Sequence, residues 1–271
     1  MEKLFYGSVL SDGVKLHYSR TSQGFPPMVL LHGLLDNGLC FGRLAYSLYT
    51  QYDVFLPDAR GHGKSEAPGG GYDLKTMAGD VRQLVDALGM DTPILLGHSM
   101  GAATAAEFAA EYPQSVRALI LIDPPWVEPH LLGPDLIEQQ KDNFLRRIQA
   151  YHSMGFSELE LTVKAEHPSW HEDDLRSWAK AKTQVREEVV AVVPHLTEGW
   201  QEIAEKIRCD VLLLTADPEK GALISSEVAA SLQKNHLNWT IVRIPDAGHN
   251  VQREAFAQTK EQIFAFLRKV G

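Results

Sequence analysis

The sequence predicts an α/β fold in which helices flank a mostly parallel sheet of eight strands. Short apolar runs recur along the chain without alternation, as is typical of strands that are buried on both faces of a sheet. Helical patterns separate these runs, and this strand–helix order indicates parallel pairing. Residues 125–207 interrupt the order. We therefore expect an α/β core made of residues 1–124 and 208–271, with 125–207 inserted as a helical cap.

The first predicted element is an antiparallel hairpin. Two strand-like runs, residues 3–10 and 14–19, flank Ser11-Asp12-Gly13, a sequence that is typical of hairpin turns. Six further runs predict the other strands, at residues 28–31, 54–56, 94–96, 118–122, 211–214 and 239–244.

Helices are predicted between these strands. Residues 74–88 show the pattern well, because Met77, Val81 and Leu84 recur at the spacing of one helix face. The predicted core helices are residues 39–49, 74–88, 100–111, 225–234 and 253–269.

The inserted segment, residues 125–207, is charged, mostly helical in pattern and rich in tryptophan. It holds four of the five tryptophans of the chain, Trp126, Trp170, Trp178 and Trp200. Ligand pockets are mostly apolar. Because Trp126 directly follows a strand end, we expect its ring to contact the substrate.

Composition narrows the class of protein. The net charge of −9 over 271 residues argues against nucleic acid or an anionic membrane surface as a partner. No apolar run approaches the roughly 20 residues that a membrane-spanning helix needs. The two cysteines, Cys40 and Cys209, are far apart, which favours free thiols in a reducing compartment. The first six residues lack the pattern of a signal peptide. We expect a cytoplasmic protein, monomeric or homodimeric.

The most informative motif is Gly97-His98-Ser99-Met100-Gly101, which lies between a predicted strand and a predicted helix. A serine in such a sharp turn is lifted clear of the sheet, and glycines are needed where strand and helix approach closely. The Met100 amide then lies at a helix N-terminus, where negative charge is favoured. The motif predicts a nucleophilic serine.

A serine nucleophile needs a base, a group that orients the base, and donors for an oxyanion. His249 follows the last predicted strand and is the expected base. Asp217 and Glu219 follow the preceding strand, and either can orient the imidazole. The Leu34 amide, which follows the first parallel strand, can pair with the Met100 amide as an oxyanion hole.

At this point the chain resembles the α/β-hydrolase fold family over nearly its whole length. The matching segments are His32-Gly33, Asp58-Ala59-Arg60-Gly61-His62-Gly63-Lys64-Ser65, Gly97-His98-Ser99-Met100-Gly101, Leu121-Ile122-Asp123-Pro124 and Asp246-Ala247-Gly248-His249. The resemblance implies a triad of Ser99, His249 and an acid, and an oxyanion hole at Leu34 and Met100. Related epoxide hydrolases and haloalkane dehalogenases carry aspartate at the position of Ser99, so the resemblance disfavours those activities.

The resemblance leaves the acid open. Ala-Asp-Pro-Glu-Lys-Gly resembles a subgroup in which the first aspartate serves, which favours Asp217, whereas counting from the strand end selects Glu219. Some relatives place the acid after the preceding strand, which would select Asp123 or Glu128 instead.

The sequence thus predicts a serine hydrolase that cleaves a carboxylic ester or lactone of a small, largely apolar molecule through an acyl-enzyme, without a cofactor or metal. A P-loop at Gly63-Lys64-Ser65 is excluded because Asp58 stands where a glycine is required. A zinc helix at His167 and His171 is disfavoured because Pro168 intervenes. The alternatives are carbon–carbon bond hydrolysis or acyl transfer on the same triad, and a slowly turning-over ligand receptor.

Overall fold

A computed structural model describes residues 4–21, 24–128 and 131–270. The strands are β1 (Phe5–Ser11), β2 (Val14–Arg20), β3 (Pro27–Leu31), β4 (Asp53–Pro57), β5 (Ile94–His98), β6 (Ala118–Ile122), β7 (Asp210–Thr215) and β8 (Trp239–Arg243). The helices are α1 (Gly42–Leu48), α2 (Leu74–Ala87), α3 (Met100–Glu111), α4 (Pro134–Ser153), α5 (Phe156–Glu166), α6 (Glu172–Lys182), α7 (Trp200–Lys206), α8 (Ser226–Asn235), α9 (Val251–Glu254) and α10 (Phe256–Val270).

The eight strands form a single sheet in the order β1-β2-β4-β3-β5-β6-β7-β8. The hairpin β1–β2 and the β2–β4 pair are antiparallel, and the other neighbours are parallel. The turn of the hairpin is at Asp12 and Gly13, both with positive φ. The predicted fold class is confirmed.

Both faces of the sheet are covered, which explains why the strands lack hydrophobic alternation. On β3, Val29 and Leu31 pack into one apolar cluster with α2 and α3. The alternate residues Met28 and Leu30 pack into a second cluster with α1 and α10 on the opposite face. Since successive side chains of a strand point to opposite faces, every position of such a strand must be apolar.

The inserted segment lies between β6 and β7. It contains α4, α5, α6 and α7 together with a 3₁₀ segment, Glu187–His195, and its described residues include no strand. Two core helices differ from expectation. The helix predicted at residues 39–49 begins with a 3₁₀ turn, Gly38–Phe41, and the last helix is divided at Ala255 into α9 and α10. None of the described helices is long and apolar enough to span a membrane.

Candidate active site

Ser99 occupies the sharp turn between β5 and α3. Its backbone has φ 52° and ψ −120°, a conformation that L residues rarely adopt and that costs about 1–3 kcal/mol. The Ser99 N–H donates to the Ile122 carbonyl on β6 at 3.0 Å, which fixes the turn to the sheet. A Cβ on Gly97 would overlap the Gly101 carbonyl, and one on Gly101 would overlap the Leu31 carbonyl. The two glycines therefore allow strand and helix to approach as the motif predicts.

His249 lies in the loop between β8 and α9, and its Nδ1–H donates to the Asp123 carboxylate. The distance from Nδ1 to Asp123 Oδ2 is 2.7 Å. Asp123 follows β6 directly and has a positive φ of 41°. Its side chain is fully buried, and it also accepts the backbone N–H groups of Leu223 and Ile224 at 2.9–3.1 Å. These hydrogen bonds hold the carboxylate rigidly beside His249. Because Nδ1 carries the proton that is donated to Asp123, Nε2 is the unprotonated nitrogen of the neutral ring.

The prediction that Asp217 contacts His249 is wrong. Asp217 forms an ion pair with Arg243 of β8 at 2.7 Å and accepts the Asp246 N–H at 3.0 Å. These bonds lower the pKa of Asp217, with the Arg243 hydrogen bond as the largest cause. Glu219 lies exposed on the short 3₁₀ turn Pro218–Lys220, and Glu128 is partly exposed in the loop after β6. The carboxylate at His249 is thus Asp123, one of the two alternatives after β6.

Two backbone amides lie beside the elbow. The Met100 amide is in the first turn of α3, where N–H groups have no partner within the helix. The Leu34 amide belongs to the β3 loop, which we define as residues 32–37. Within the described part of the chain, neither amide has a protein acceptor. Both are therefore free to bind an oxygen atom.

The motif at residues 58–65 holds the β3 loop in place. His62 Nε2 accepts the Leu35 N–H at 3.3 Å, and its Nδ1–H donates to the Arg60 carbonyl. Asp58 accepts the Gly38 N–H at 2.8 Å. In return, His32 Nε2 accepts the Ala59 N–H at 3.0 Å. The β3 loop and the 58–65 segment therefore fix each other through His32 and His62. In each of these neutral rings, the unprotonated nitrogen already accepts a backbone N–H.

This arrangement predicts that the fold loses stability in mild acid. Burial lowers the pKa of His62 to about 3 and also lowers the pKa values of His32 and His98. Below about pH 6.5 the unfolded chain binds a proton at each of these positions, whereas burial disfavours the charged ring in the folded chain. Their contribution to stability is therefore present above about pH 6.5 and declines as the pH falls. For His62 the loss is about 1.4 kcal/mol per pH unit until the pH approaches about 3.

Thermal and urea unfolding at pH 7, 6 and 5 measure this effect. We expect the free energy of unfolding to decrease at each step. His62→Gln keeps an acceptor for the Leu35 amide without a titrating ring, so its unfolding free energy should depend less steeply on pH. A profile as steep as that of the wild type would contradict the assignment to His62.

His98, inside the elbow, supports His249. Its Nε2–H donates to the His249 carbonyl at 2.8 Å, and the two rings lie 4.7 Å apart. Burial together with the neighbouring His249 keeps the pKa of His98 well below its usual value. His98 thus packs against His249 and hydrogen-bonds to its backbone.

Trp126 contradicts the expectation that it contacts a substrate. Its ring is almost fully buried in the core, stacked 5.6 Å from Trp200 of α7 and 6.0 Å from Trp239. Trp239 begins β8, whereas Ser99 and His249 follow the carboxyl ends of their strands. After β6 the chain turns Trp126 into the core, and the Trp200 Nε1–H fixes this turn by donating to the Val127 carbonyl.

The side chains around the two amides are apolar. Leu34, Leu35 and Met100 pack into one cluster with residues of α4 and of the Glu187–His195 segment. We call this the Met100 cluster; its members from the inserted segment are Phe144, Leu145, Ile148, Tyr151, Val185, Val189, Val190, Val192, Leu196 and Ile203. The inserted segment thus presents an apolar surface to the loop and the helix that carry the amides.

Comparisons with known proteins agree with this geometry. The family described as alpha/beta hydrolase fold matches residues 26–256. A soluble epoxide hydrolase from Corynebacterium sp. (strain C12) is 36% identical over 121 residues, 45% of this chain and only 42% of that protein. A 2-(acetamidomethylene)succinate hydrolase from Mesorhizobium japonicum is 26% identical over 254 residues, 89% of this chain and 88% of that protein.

Solved structures share the fold at lower sequence identity. The structure of E-2-(acetamidomethylene)succinate hydrolase matches with a TM-score of 0.85 and 23% identity, covering 98% of this chain and all of that one. An esterase from Exiguobacterium antarcticum matches with a TM-score of 0.77 and 21% identity, covering 96% of this chain and 98% of that one.

Proposed function

Because the chain belongs to the α/β-hydrolase fold family, we propose that it is a serine hydrolase that cleaves a carboxylic ester or lactone of a small, largely apolar substrate. The observation that carries the proposal is the 2.7 Å hydrogen bond from His249 Nδ1 to the buried Asp123 carboxylate, next to a strained serine elbow. That bond fixes the tautomer in which Nε2 can accept a proton from Ser99.

In the proposed reaction, Ser99 Oγ attacks the carbonyl carbon of the ester while His249 Nε2 takes the hydroxyl proton. The carbonyl oxygen becomes an oxyanion that accepts the Leu34 and Met100 amides. The tetrahedral intermediate collapses, the alkoxide leaves with the proton from His249, and an acyl-Ser99 ester remains. Water, deprotonated by His249, then releases the acid and restores Ser99.

The Met100 cluster supports the proposed substrate class. A carbonyl held by the Leu34 and Met100 amides places its acyl group near apolar side chains of α4 and of the Glu187–His195 segment. The inserted segment would then act as a cap. Burial of apolar surface favours an apolar acyl chain by about 0.8 kcal/mol per methylene.

A substrate that carries a carboxylate is a second candidate. Arg147 of α4 lies with its guanidinium 5.7 Å from the Phe144 ring and donates to the Tyr151 hydroxyl at 3.2 Å. Phe144 and Tyr151 belong to the Met100 cluster. The similarity to the 2-(acetamidomethylene)succinate hydrolase points in the same direction.

The test combines active-site labelling with a substrate panel. A fluorophosphonate probe followed by peptide mass spectrometry should place the label on Ser99. Steady-state rates with p-nitrophenyl acetate, p-nitrophenyl butyrate, γ-butyrolactone and monoethyl succinate then rank the substrates. We expect the butyrate ester to exceed the acetate ester in kcat/KM by about tenfold, since two further methylenes are buried.

Each outcome decides between the candidates. Preference for monoethyl succinate, lost in Arg147→Gln, would support the carboxylate-bearing substrate. A folded protein whose Ser99 stays unlabelled and which hydrolyses none of the panel would contradict the hydrolase proposal and favour the receptor alternative.

A further inference from the structure

A buried ion cluster joins the β3 loop to the inserted segment. Asp36 of the loop accepts Lys182 Nζ of α6 at 2.9 Å through Oδ1, and Arg253 of α9 at 2.6 Å through Oδ2. All three side chains are at least nine-tenths buried. We call these three residues the Asp36 cluster. It connects three parts of the chain that are far apart in sequence.

Lys182 also contacts the loop backbone directly. Its Nζ donates to the Leu35 carbonyl at 2.9 Å, while the Leu35 N–H is held by His62. Leu35 has a φ of 68°, which is unfavourable for a residue with a Cβ. A strained conformation persists only where its surroundings hold it. Lys182 and His62 hold Leu35 from both sides, and so they fix the residue directly after the Leu34 amide.

Stability alone does not account for this cluster. Removing ions from water costs free energy that a buried ion pair barely recovers, and apolar side chains of similar volume usually serve as well. Burial lowers the pKa of Lys182, so its charge is held at a cost. The ammonium lies 4.6 Å from the Trp178 ring, and the Arg253 guanidinium lies 5.0 Å from the Trp170 ring, both in the inserted segment.

We propose that Lys182 is a positioning residue through which the inserted segment sets the direction of the Leu34 amide. Asp36 passes the same constraint to Arg253 on α9, which begins two residues after His249. The oxyanion hole is therefore completed only when the inserted segment is docked on the core. This inference rests on the proposed ester hydrolysis, because it concerns the Leu34 amide of the proposed oxyanion hole.

Lys182→Met tests the proposal, with Lys180→Met as the matched control because Lys180 is exposed on the same helix. The substrate is p-nitrophenyl butyrate. The second readout is the inhibition constant of 1,1,1-trifluorohexan-2-one, whose adduct with a serine carries an oxyanion. Loss of one oxyanion donor costs about 10²–10³ in kcat, and misdirecting one should cost about 10–100-fold.

We expect Lys182→Met to lower kcat by that factor and to weaken the trifluoromethyl ketone by a similar factor, with KM changed by less than about threefold. Lys180→Met should match the wild type. Lys182→Gln, which keeps N–H donors but is shorter and uncharged, should fall between the two. A merely structural role would lower Tm without a selective loss of ketone affinity, and that result would overturn the proposal.

Two other outcomes also decide. If neither Lys182 variant folds, the contribution of Lys182 to stability is enough to explain its presence, and the proposal fails. If the wild type itself is not labelled at Ser99 by the fluorophosphonate, the proposed hydrolysis fails. Wild-type labelling with full kcat in Lys182→Met would reject the positioning role alone.

Discussion

Replacing Ser99 with alanine is expected to lower kcat for p-nitrophenyl butyrate by about 10⁶-fold, because the alanine variant cannot form the proposed acyl-enzyme at this position. The remaining rate would come from binding and from the proposed oxyanion donors, the Leu34 and Met100 amides, which the substitution leaves in place. The measurement is a single-turnover and steady-state comparison at pH 8, with fluorophosphonate labelling of both proteins. Persistent turnover above a tenth of the wild-type rate would place the nucleophile elsewhere.

The backbone of Ser99 provides the control for this loss. Alanine keeps the Cβ and therefore the strain of φ 52°, so Ser99→Ala should unfold at nearly the same temperature as the wild type. Ser99→Gly relieves the strain and should raise Tm, despite the extra flexibility of glycine in the unfolded chain. Both variants should be inactive. An inactive but more stable Ser99→Gly would show that the strained backbone of the elbow lowers stability while it positions the hydroxyl.

The elbow and the base could be predicted because their signals are local. Ser99 lies in a five-residue motif whose glycines are required by the close approach of Gly101 to the β3 backbone. His249 follows the last strand of the sheet. Parallel strands bring their carboxyl ends to one edge, so residues that follow β3, β5 and β8 meet there without further information. The parallel strands of the sheet could also be predicted, because strands that are buried on both faces have continuous apolar runs without polar alternation.

The acid could not be chosen in the same way. Asp123 and Asp217 follow the neighbouring strands β6 and β7, and the pairing of Ile122 with Leu214 places Asp123 opposite Thr215. Asp217 follows Thr215 by two residues and so lies further from the sheet than Asp123. There its carboxylate accepts a hydrogen bond from Arg243 of β8. A local turn at Asp123, with φ 41°, directs its carboxylate towards His249. Arg243, on the strand next to β7, is the signal in the sequence that could have indicated another partner for Asp217.

The inserted segment was predictable as helices but not in its contacts. The prediction for Trp126 failed because the turn after β6 depends on the distant Trp200 and Trp239. The Asp36 cluster was missed for the same reason. Its members are separated by 146 and 217 residues from Asp36, and no spacing rule connects such positions.

Asp123→Asn is expected to lower kcat/KM by about 10⁴-fold while leaving KM and Tm nearly unchanged. The asparagine carbonyl oxygen can still accept the Leu223 and Ile224 amides, which hold the side chain in place. Its NH₂ group would then face His249 Nδ1. A donor there favours the tautomer with Nδ1 unprotonated, so the proton moves to Nε2 and the imidazole can no longer accept the hydroxyl proton of Ser99.

Asp217→Asn is the matched control, since it makes the same chemical change one strand away. It removes an ion pair to Arg243 that is open to solvent, and such pairs contribute little to stability. Its kcat/KM should therefore stay within about threefold of the wild type, because a loss of this size affects the loop after β8 only slightly. The ratio of the two variants' kcat/KM values is the decisive quantity. A ratio near unity would mean that the hydrogen bond from His249 to Asp123 contributes no more to the reaction than Asp217 does, and it would contradict the role of Asp123.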